Sequence, residues 1–244
     1  MSDLSVRRLT AAFGLAIVVL NWAMFPLYLV PGPAPQFQDT ARYIDYWTSI
    51  NGLVLTRVFF DILECACLLV FAAGFRHLIR QARSEYEWVG TLAFGALLAL
   101  STVTLVAASL EGGAALDTVG GLVDPTAIRA LSEGYILIYQ SIGCILIALF
   151  SAAAGYATLG TGMLPRWTGW LAYATAVLNL VAVPLGLSIA PVAVLAVAVI
   201  DDFPLQIWLL IISISLLVVK REIKAEAPVM EAESTSDASL LRRA

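Results

Sequence analysis

Six uninterrupted apolar runs constrain this chain more than any other feature of its sequence. They cover about residues 9–30, 53–75, 88–109, 134–158, 167–186 and 203–219. Each is close to the roughly 20 residues that a helix needs to cross the hydrocarbon core of a bilayer. Because the apolar residues are continuous and do not alternate with polar ones, the runs predict helices rather than barrel strands. The sequence therefore predicts an all-α, polytopic membrane bundle with six transmembrane helices.

The composition supports the same class. Charged residues are only 13% of the chain, hydrophobic residues are 60%, and the mean hydropathy is +0.88. A soluble domain has about 25% charged residues, with which it covers its surface. So few charges cannot cover a water-facing surface, and this excludes a soluble globular protein.

The basic residues are sorted between the two predicted sides of the membrane. Eleven of the 14 Lys and Arg residues precede the first or fifth run, follow the second or sixth, or lie near the C-terminus. The opposite loops contain only Arg42 and Arg129, among many acidic residues. The positive-inside rule therefore predicts that both termini are cytoplasmic.

The segments outside the runs are interpreted as follows. Residues 1–222 form the membrane domain, and 223–244, rich in Ala, Glu and Ser, are predicted to be a disordered cytoplasmic tail. The apolar stretch 188–200 is too short to span, and it is interpreted as an interfacial or re-entrant piece or as a partial span. The Gly-rich stretch "LEGGAALDTVGGL", residues 110–122, is predicted to be a flexible outer loop. The first run is too long for a signal peptide and is predicted to be an uncleaved helix.

The second run carries charge at membrane depth. Arg57, Asp61 and Glu64 lie within eight positions, and a charge at the centre of a membrane helix costs roughly 2.5–3.5 kcal/mol on insertion scales. Arg57 and Asp61 are four residues apart, so they are predicted to pair along one helix face. Glu64 then has no evident partner in its own helix. Either it is protonated, or another helix satisfies it.

Other runs contain polar residues at similar depth. Asn21 and Asn179 lie near the middle of the first and fifth runs, while Glu133 and Gln140 lie on the fourth. Together with the acidic residues of the second run they suggest a polar cavity that opens toward the outer face. The alternative is that these side chains form hydrogen bonds that hold neighbouring helices together, as Asn and Gln commonly do in membranes.

Cofactor and metal chemistry find little support in the sequence. Cys65 and Cys67 diverge around their helix, Cys144 lies in another run, and the only histidine, His77, has no Cys or His cluster beside it. No cofactor, metal site or nucleic-acid partner is expected. The expected partners are membrane lipids and, as an open alternative, another membrane protein or a second copy of this chain.

One resemblance to a known family involves the fourth and fifth runs. The stretch "GYATLGTGMLPRWTGWLAYATAVLNLVAVPLG" resembles the bacterial membrane family catalogued as domain of unknown function 4386, mainly over residues 130–187. The matching turn consists of Leu164, Pro165, Arg166 and Gly169. The resemblance implies a helical bundle in a bacterial cytoplasmic membrane. It implies no activity and no catalytic residues.

Three functional hypotheses remain from the sequence. The first is a bundle that binds or transports a small molecule, a lipid or an ion at a polar seam around Glu64. The second is a non-catalytic accessory or assembly subunit whose charged residues pair with a partner's helices. The third is a membrane enzyme that uses Asp61 and Glu64 as acid and base.

Overall fold

The computed structural model describes residues 3–32, 35, 37–119, 123–187 and 191–218. These residues form helices and no strands, which confirms the all-α prediction. The predicted disordered tail, 223–244, lies outside the described residues. The helices are α1 (Asp3–Leu29), α2 (Thr40–Ala82), α3 (Glu87–Asp117), α4 (Pro125–Leu137), α5 (Cys144–Thr161), α6 (Arg166–Gly186) and α7 (Pro191–Val218). A 3₁₀ turn, Ser84–Tyr86, precedes α3, and a π-helical turn, Ile138–Gly143, joins α4 to α5.

Within the described residues, five helical segments are long and apolar enough to cross a membrane. They are Leu4–Leu29, Thr40–Ala82, Ser84–Asp117, Pro125–Thr161 and Arg166–Gly186. The sixth predicted span corresponds to a shorter apolar helix, Asp202–Val218. Large apolar side chains such as Val19, Val181 and Ile207 are exposed on the outside of the bundle, as expected where helices face lipid. The fold is that of a membrane protein.

Helix α7 closes the bundle into a ring. Each of α1, α2, α3, α5, α6 and α7 packs against the next helix in that order, and α7 packs back against α1. The largest fully buried side chains, among them Trp208, Phe71 and Phe150, fill the interior. Residues far apart in the chain, on α1 and α7, therefore meet inside the ring.

Parts of α2 and α3, together with α4, extend beyond the bundle at one end. Helix α2 has 43 residues, which span roughly 65 Å at 1.5 Å per residue, about twice the thickness of a hydrocarbon core. We call the extension the headpiece: residues 40–52 of α2, residues 110–117 of α3, and α4. It has its own apolar cluster, in which Tyr43, Trp47 and Ile128 are buried. The headpiece lies opposite the Arg-rich end of α2.

Local sequence signals set the ends of these elements. The Asp39 carboxylate accepts a hydrogen bond from the Arg42 amide at 3.2 Å at the start of α2. Asp124 caps α4 in the same way, immediately before Pro125 at the first helical position. Helix α5 ends at Gly162, whose φ of +62° lies in the left-handed region that glycine adopts without strain.

One segment predicted to be a loop is helical. Helix α3 continues to Asp117, so the prediction of a flexible loop over 110–122 is wrong for 110–117; residues 120–122 lie outside the described part. The reason is that Ala114 and Ala115 pack in the headpiece cluster. Residues 191–200 of the apolar stretch 188–200 belong to the same helix as 202–218, and residues 188–190 lie outside the described part.

Close helix contacts depend on glycine at specific positions. A Cβ atom added at Gly186 of α6 would lie 2.2 Å from the backbone oxygen of Gln140 in the π-helical turn. A Cβ atom added at Gly95 of α3 would meet nothing within 4 Å. Gly186 therefore lets α6 approach the π-helical turn, whereas Gly95 has no such role.

We expect Gly186→Ala to lower the free energy of unfolding by about 1–3 kcal/mol, because the backbone of Gln140 must shift to admit the methyl group. Gly95→Ala is the matched control and should leave stability unchanged or slightly raised, since alanine favours helix. Thermal unfolding in detergent measures both. Equal melting temperatures for the two variants would contradict the predicted close contact.

Candidate functional site

A buried ion pair joins α2 to α3 where the bundle meets the headpiece. Arg57 of α2 donates from its guanidinium to the carboxylate of Glu111 on α3, and both side chains are almost completely buried. The Arg57 guanidinium also lies over the ring of Tyr28 on α1, 4.4 Å from its centre. This cation–π contact adds a third helix to the site.

Tyrosines continue from this ion pair toward the π-helical turn. The hydroxyls of Tyr28 and Tyr135 are 3.4 Å apart, at the outer edge of hydrogen-bonding distance. The Tyr135 ring stacks on Tyr139, with ring centres 5.9 Å apart. Aromatic and hydroxyl groups therefore connect the ion pair to the side chain of Tyr139.

Tyr139 lines a small cavity that three carboxylic acids share. The cavity has a volume of about 50 Å³ and is lined by residues of α1, α2, α3, α5, α7 and the π-helical turn. Asp61 and Glu64 of α2 and Asp202 of α7 all face it. No Arg, Lys or His is among its described lining residues. This carboxylate cavity is the candidate functional site.

Asp202 is held in place by two amide side chains. Asn21 on α1 and Gln206 on α7 each donate to the same carboxylate oxygen of Asp202 at 3.1 Å. Gln206 is also hydrogen-bonded to Glu64. The amides thus link the acidic groups of α2 and α7 and bring α1 to the cavity.

The π-helical turn shapes one wall of the cavity. A π-helical turn places an extra residue in the helix and is frequent at functional sites. Here its members Tyr139 and Gly143 line the cavity, and Gly186 packs against the backbone of Gln140. The turn lets Tyr139 face the cavity while Gln140 remains buried against α6.

Aromatic rings fill the bundle between the cavity and its basic end. Phe71 stacks on Phe75 with ring centres 5.7 Å apart, and Phe75 makes edge contacts with Phe150 and with Trp208. All four side chains are buried to within 1%. This aromatic plug separates the carboxylate cavity from the end of the bundle that carries Arg76 and Arg80.

The predicted partner of Arg57 is corrected by this arrangement. Arg57 forms its ion pair with Glu111 and not with Asp61, although Asp61 is buried nearby and faces the cavity. The sequence assigned Glu111 to an outer loop. Because α3 continues through that segment, Glu111 reaches Arg57 from a neighbouring helix, which the spacing within α2 could not indicate.

The other predicted site residues divide into two groups. Asn21 and Glu64 belong to the cavity group. Glu133 does not, because it pairs with Arg129 at 2.6 Å on a half-exposed face. Asn179 is completely buried on α6 and donates to the carbonyl of Thr175 on the same helix at 3.1 Å. Gln140 is buried in the π-helical turn beside α6.

Sequence reasoning missed Asp202 and Gln206. Asp202 was assigned to an outer loop, immediately before the last predicted span, and Gln206 within that span was not selected as a candidate. The signal that could have found them is their spacing of four residues, which places both side chains on one helix face. Apart from their hydroxyl groups, nothing in the sequence indicated that Tyr28 and Tyr135 belong to the site.

The cavity has an unbalanced set of charges. Among the described buried carboxyl groups near the cavity, only Glu111 forms an ion pair with a basic side chain. An unpaired ion inside a protein is unfavourable by several kcal/mol, and neighbouring ions of like sign add to this. Asp61, Glu64 and Asp202 therefore need protons or a small cation to neutralise them.

Comparison with protein-family models, with curated proteins and with solved structures finds no match to this chain. The resemblance of residues 130–187 to the bacterial membrane family therefore stays a prediction.

We expect Arg57→Met to destabilise the fold by about 3–5 kcal/mol, because it leaves Glu111 buried without its cation. Adding Glu111→Gln should restore most of the loss, since the uncompensated charge is then removed. Combining Arg57→Met with Asp61→Asn should restore less of the lost stability than combining it with Glu111→Gln. Melting temperatures of the single and double variants in detergent measure these couplings.

The control for this cycle is the half-exposed pair Arg129–Glu133, for which Glu133→Gln should change stability by only about 0–1 kcal/mol. Equal rescue by Glu111→Gln and by Asp61→Asn would show that Glu111 is not the specific partner of Arg57.

Proposed function

We propose that this protein is an ion-handling membrane bundle that binds and releases protons at the carboxylate cavity. One observation carries the proposal: Asp61, Glu64 and Asp202 come from two helices to one small cavity without a basic lining residue. Acidic side chains within membrane segments mark proton and ion pathways by default. The proposed role of Glu64 is that of the central proton-binding group, with Asp202 and Asp61 beside it.

The size of the cavity narrows the ligand class. Pockets for organic ligands have volumes of about 300–1,000 Å³, whereas this cavity has about 50 Å³. That volume suits protons, one or two water molecules or a small ion. A lipid or an organic substrate would need a larger space, so the proposal is restricted to ions.

The other hypotheses from the sequence receive less support. An accessory subunit that pairs with a partner through charge would present its charged residues on an outer surface. Arg57, Asp61 and Glu111 are instead buried within the chain's own bundle. A membrane enzyme would need room for a substrate beside Asp61 and Glu64, and the cavity is too small for one.

The proposal includes six spans in a bacterial cytoplasmic membrane, with both termini cytoplasmic. The sorting of basic residues supports this orientation. Trp88, Trp167 and Trp170 are exposed near the basic end of the bundle, as is typical of an interfacial aromatic belt. Glu64 lies twelve positions from Arg76 on α2, about 18 Å along the helix, and this distance supports a position near the middle of the bilayer in the proposed orientation.

This orientation directs the headpiece to the outer side and the aromatic plug to the cytoplasmic side of the carboxylate cavity. Protons would then reach the cavity from the headpiece side, past the tyrosines and the Arg57–Glu111 ion pair. The plug would have to rearrange before release to the cytoplasm.

We expect Glu64→Gln to reduce proton exchange at the cavity, because an amide keeps the shape of the side chain but cannot titrate. The infrared carbonyl band of protonated carboxyl groups should lose intensity in the variant, and a pH-indicator dye should record fewer protons released on alkalinisation. Proton flux into liposomes under an imposed membrane potential should fall in parallel.

Glu133→Gln is the matched control, since Glu133 is a carboxylate that lies outside the cavity. It should titrate and transport like the wild type. If Glu64→Gln releases as many protons and carries the same flux as the wild type, the proposed function is wrong.

We expect the headpiece to be external. In a variant without Cys65, Cys67 and Cys144, Arg129→Cys should react with a membrane-impermeant maleimide in intact bacterial cells. Arg80→Cys should react only after permeabilisation, because it lies at the basic end of α2. Labelling of position 80 in intact cells would overturn the proposed orientation.

A further inference from the structure

One buried oxygen of the cavity has no hydrogen-bond donor. Gln206 is 3% exposed and lines the cavity, and its amide nitrogen donates to Asp202. Its side-chain oxygen has no hydrogen-bond partner among the described residues. A buried carbonyl oxygen in this state is unfavourable unless a donor or a cation approaches it.

The remaining polar lining consists largely of oxygen atoms. Thr104 of α3 and Tyr139 contribute hydroxyl groups to the cavity, and the three carboxyl groups face it as well. Carboxylate, carbonyl and hydroxyl oxygens are the ligands of hard cations, whereas thiolates and imidazoles suit softer metals. Gln206 therefore adds a neutral oxygen to a negatively charged, oxygen-lined cavity.

Size and charge favour a monovalent ion. The cavity of about 50 Å³ has room for a partly dehydrated small cation or a few water molecules, because about 10–15 Å³ of such space is enough for one water. Among the described residues, no group of three or more His, Cys, Asp or Glu side chains is arranged to hold a metal ion. Such convergence is what a multivalent cation would need, whereas a single positive charge is satisfied by one or two carboxylates and neutral oxygens.

We propose that the carboxylate cavity binds a monovalent cation of the size of Na⁺ in exchange for a proton, with the side-chain oxygen of Gln206 as a ligand. This inference rests on the proposed proton site and names a second ion for it. A proton and a Na⁺ ion compete for the cavity, because either of them neutralises the same carboxylate charge.

The exchange involves every ionisable group that faces the cavity. Asp61, Glu64 and Cys65 come from α2, Asp202 comes from α7, and Tyr139 comes from the π-helical turn. The Arg57–Glu111 pair beside Asp61 is already neutral as a unit, so it does not replace the bound cation. One of the carboxyl groups of Asp61, Glu64 and Asp202 therefore loses its proton when one Na⁺ binds, so the net charge of the cavity does not change.

The test compares NaCl with N-methyl-D-glucamine chloride at equal ionic strength, using the purified full-length protein in detergent. At alkaline pH, Na⁺ should raise the melting temperature and the bulky organic cation should not, because it does not fit the cavity. At acid pH the difference should disappear, since protons occupy the carboxyl groups. Adding Na⁺ at alkaline pH should also release protons to an indicator dye.

Substitutions in the cavity test whether the side-chain oxygen of Gln206 binds Na⁺. Gln206→Met keeps the volume of the side chain but removes its oxygen, and it should raise the Na⁺ concentration for half-maximal stabilisation at least tenfold. Thr104→Val, a milder change on another helix, should raise it by a smaller factor and replaces Gln206→Met if that variant fails to fold. Gln81→Met, at an exposed position outside the cavity, is the control and should respond to Na⁺ like the wild type.

The outcomes separate this inference from the proposed function. If Na⁺ and N-methyl-D-glucamine give the same melting temperature while Glu64-dependent proton release persists, the cation site is wrong and the proton site stands. If Na⁺ stabilises Gln206→Met at the wild-type concentration, the assignment of Gln206 as a ligand is overturned. Loss of both the Na⁺ response and the Glu64-dependent proton release from the wild type would overturn both proposals.

Discussion

The ion pair between Arg57 and Glu111 is the interaction on which the rest of the site depends. It satisfies the only buried cation of the described bundle interior, and it does so from a neighbouring helix. Because Glu111 neutralises Arg57, Asp61 has no cation of its own. The ion pair also joins α2 to α3 where the headpiece begins, and its contact with Tyr28 adds α1. The charge balance of the cavity and the packing of three helices thus follow from one pairing.

The shape of the cavity depends on close helix packing along one wall and on the aromatic rings that fill the bundle toward the basic end. Gly186 lets α6 press against the π-helical turn, and this turn places Tyr139 on the cavity wall. Toward the basic end the rings of Phe71, Phe75, Phe150 and Trp208 are buried against one another. A polar cavity above an aromatic plug is an asymmetric arrangement, and it is the kind of arrangement from which a gated ion site can be built. Movement of α7 would affect both parts, since Asp202, Gln206 and Trp208 belong to that helix.

Much of the architecture is predictable from the sequence because a membrane helix must satisfy its backbone hydrogen bonds internally. The continuous apolar runs predict the helices, and α6 agrees with its predicted span almost to the residue. The acidic residues of the second run were recognised as candidates because charge inside a membrane segment is rare. The failure concerns the headpiece, where the Gly-rich residues 110–117 were interpreted as a loop. Packing of Ala114 and Ala115 against α2 and α4 overrides that local signal.

The sequence by itself determined the class of the protein, the approximate positions of its apolar helices and the presence of acidic groups within them. These properties follow from local composition, since the solvent for each helix is lipid. Only the tertiary structure decided which charges meet. The partner of Arg57 lies 54 residues away and the partner of Asn21 lies 181 residues away. The first pairing arises from the packing of α2 against α3 and the second from the closing contact of α7 with α1. No periodicity within a single helix contains that information.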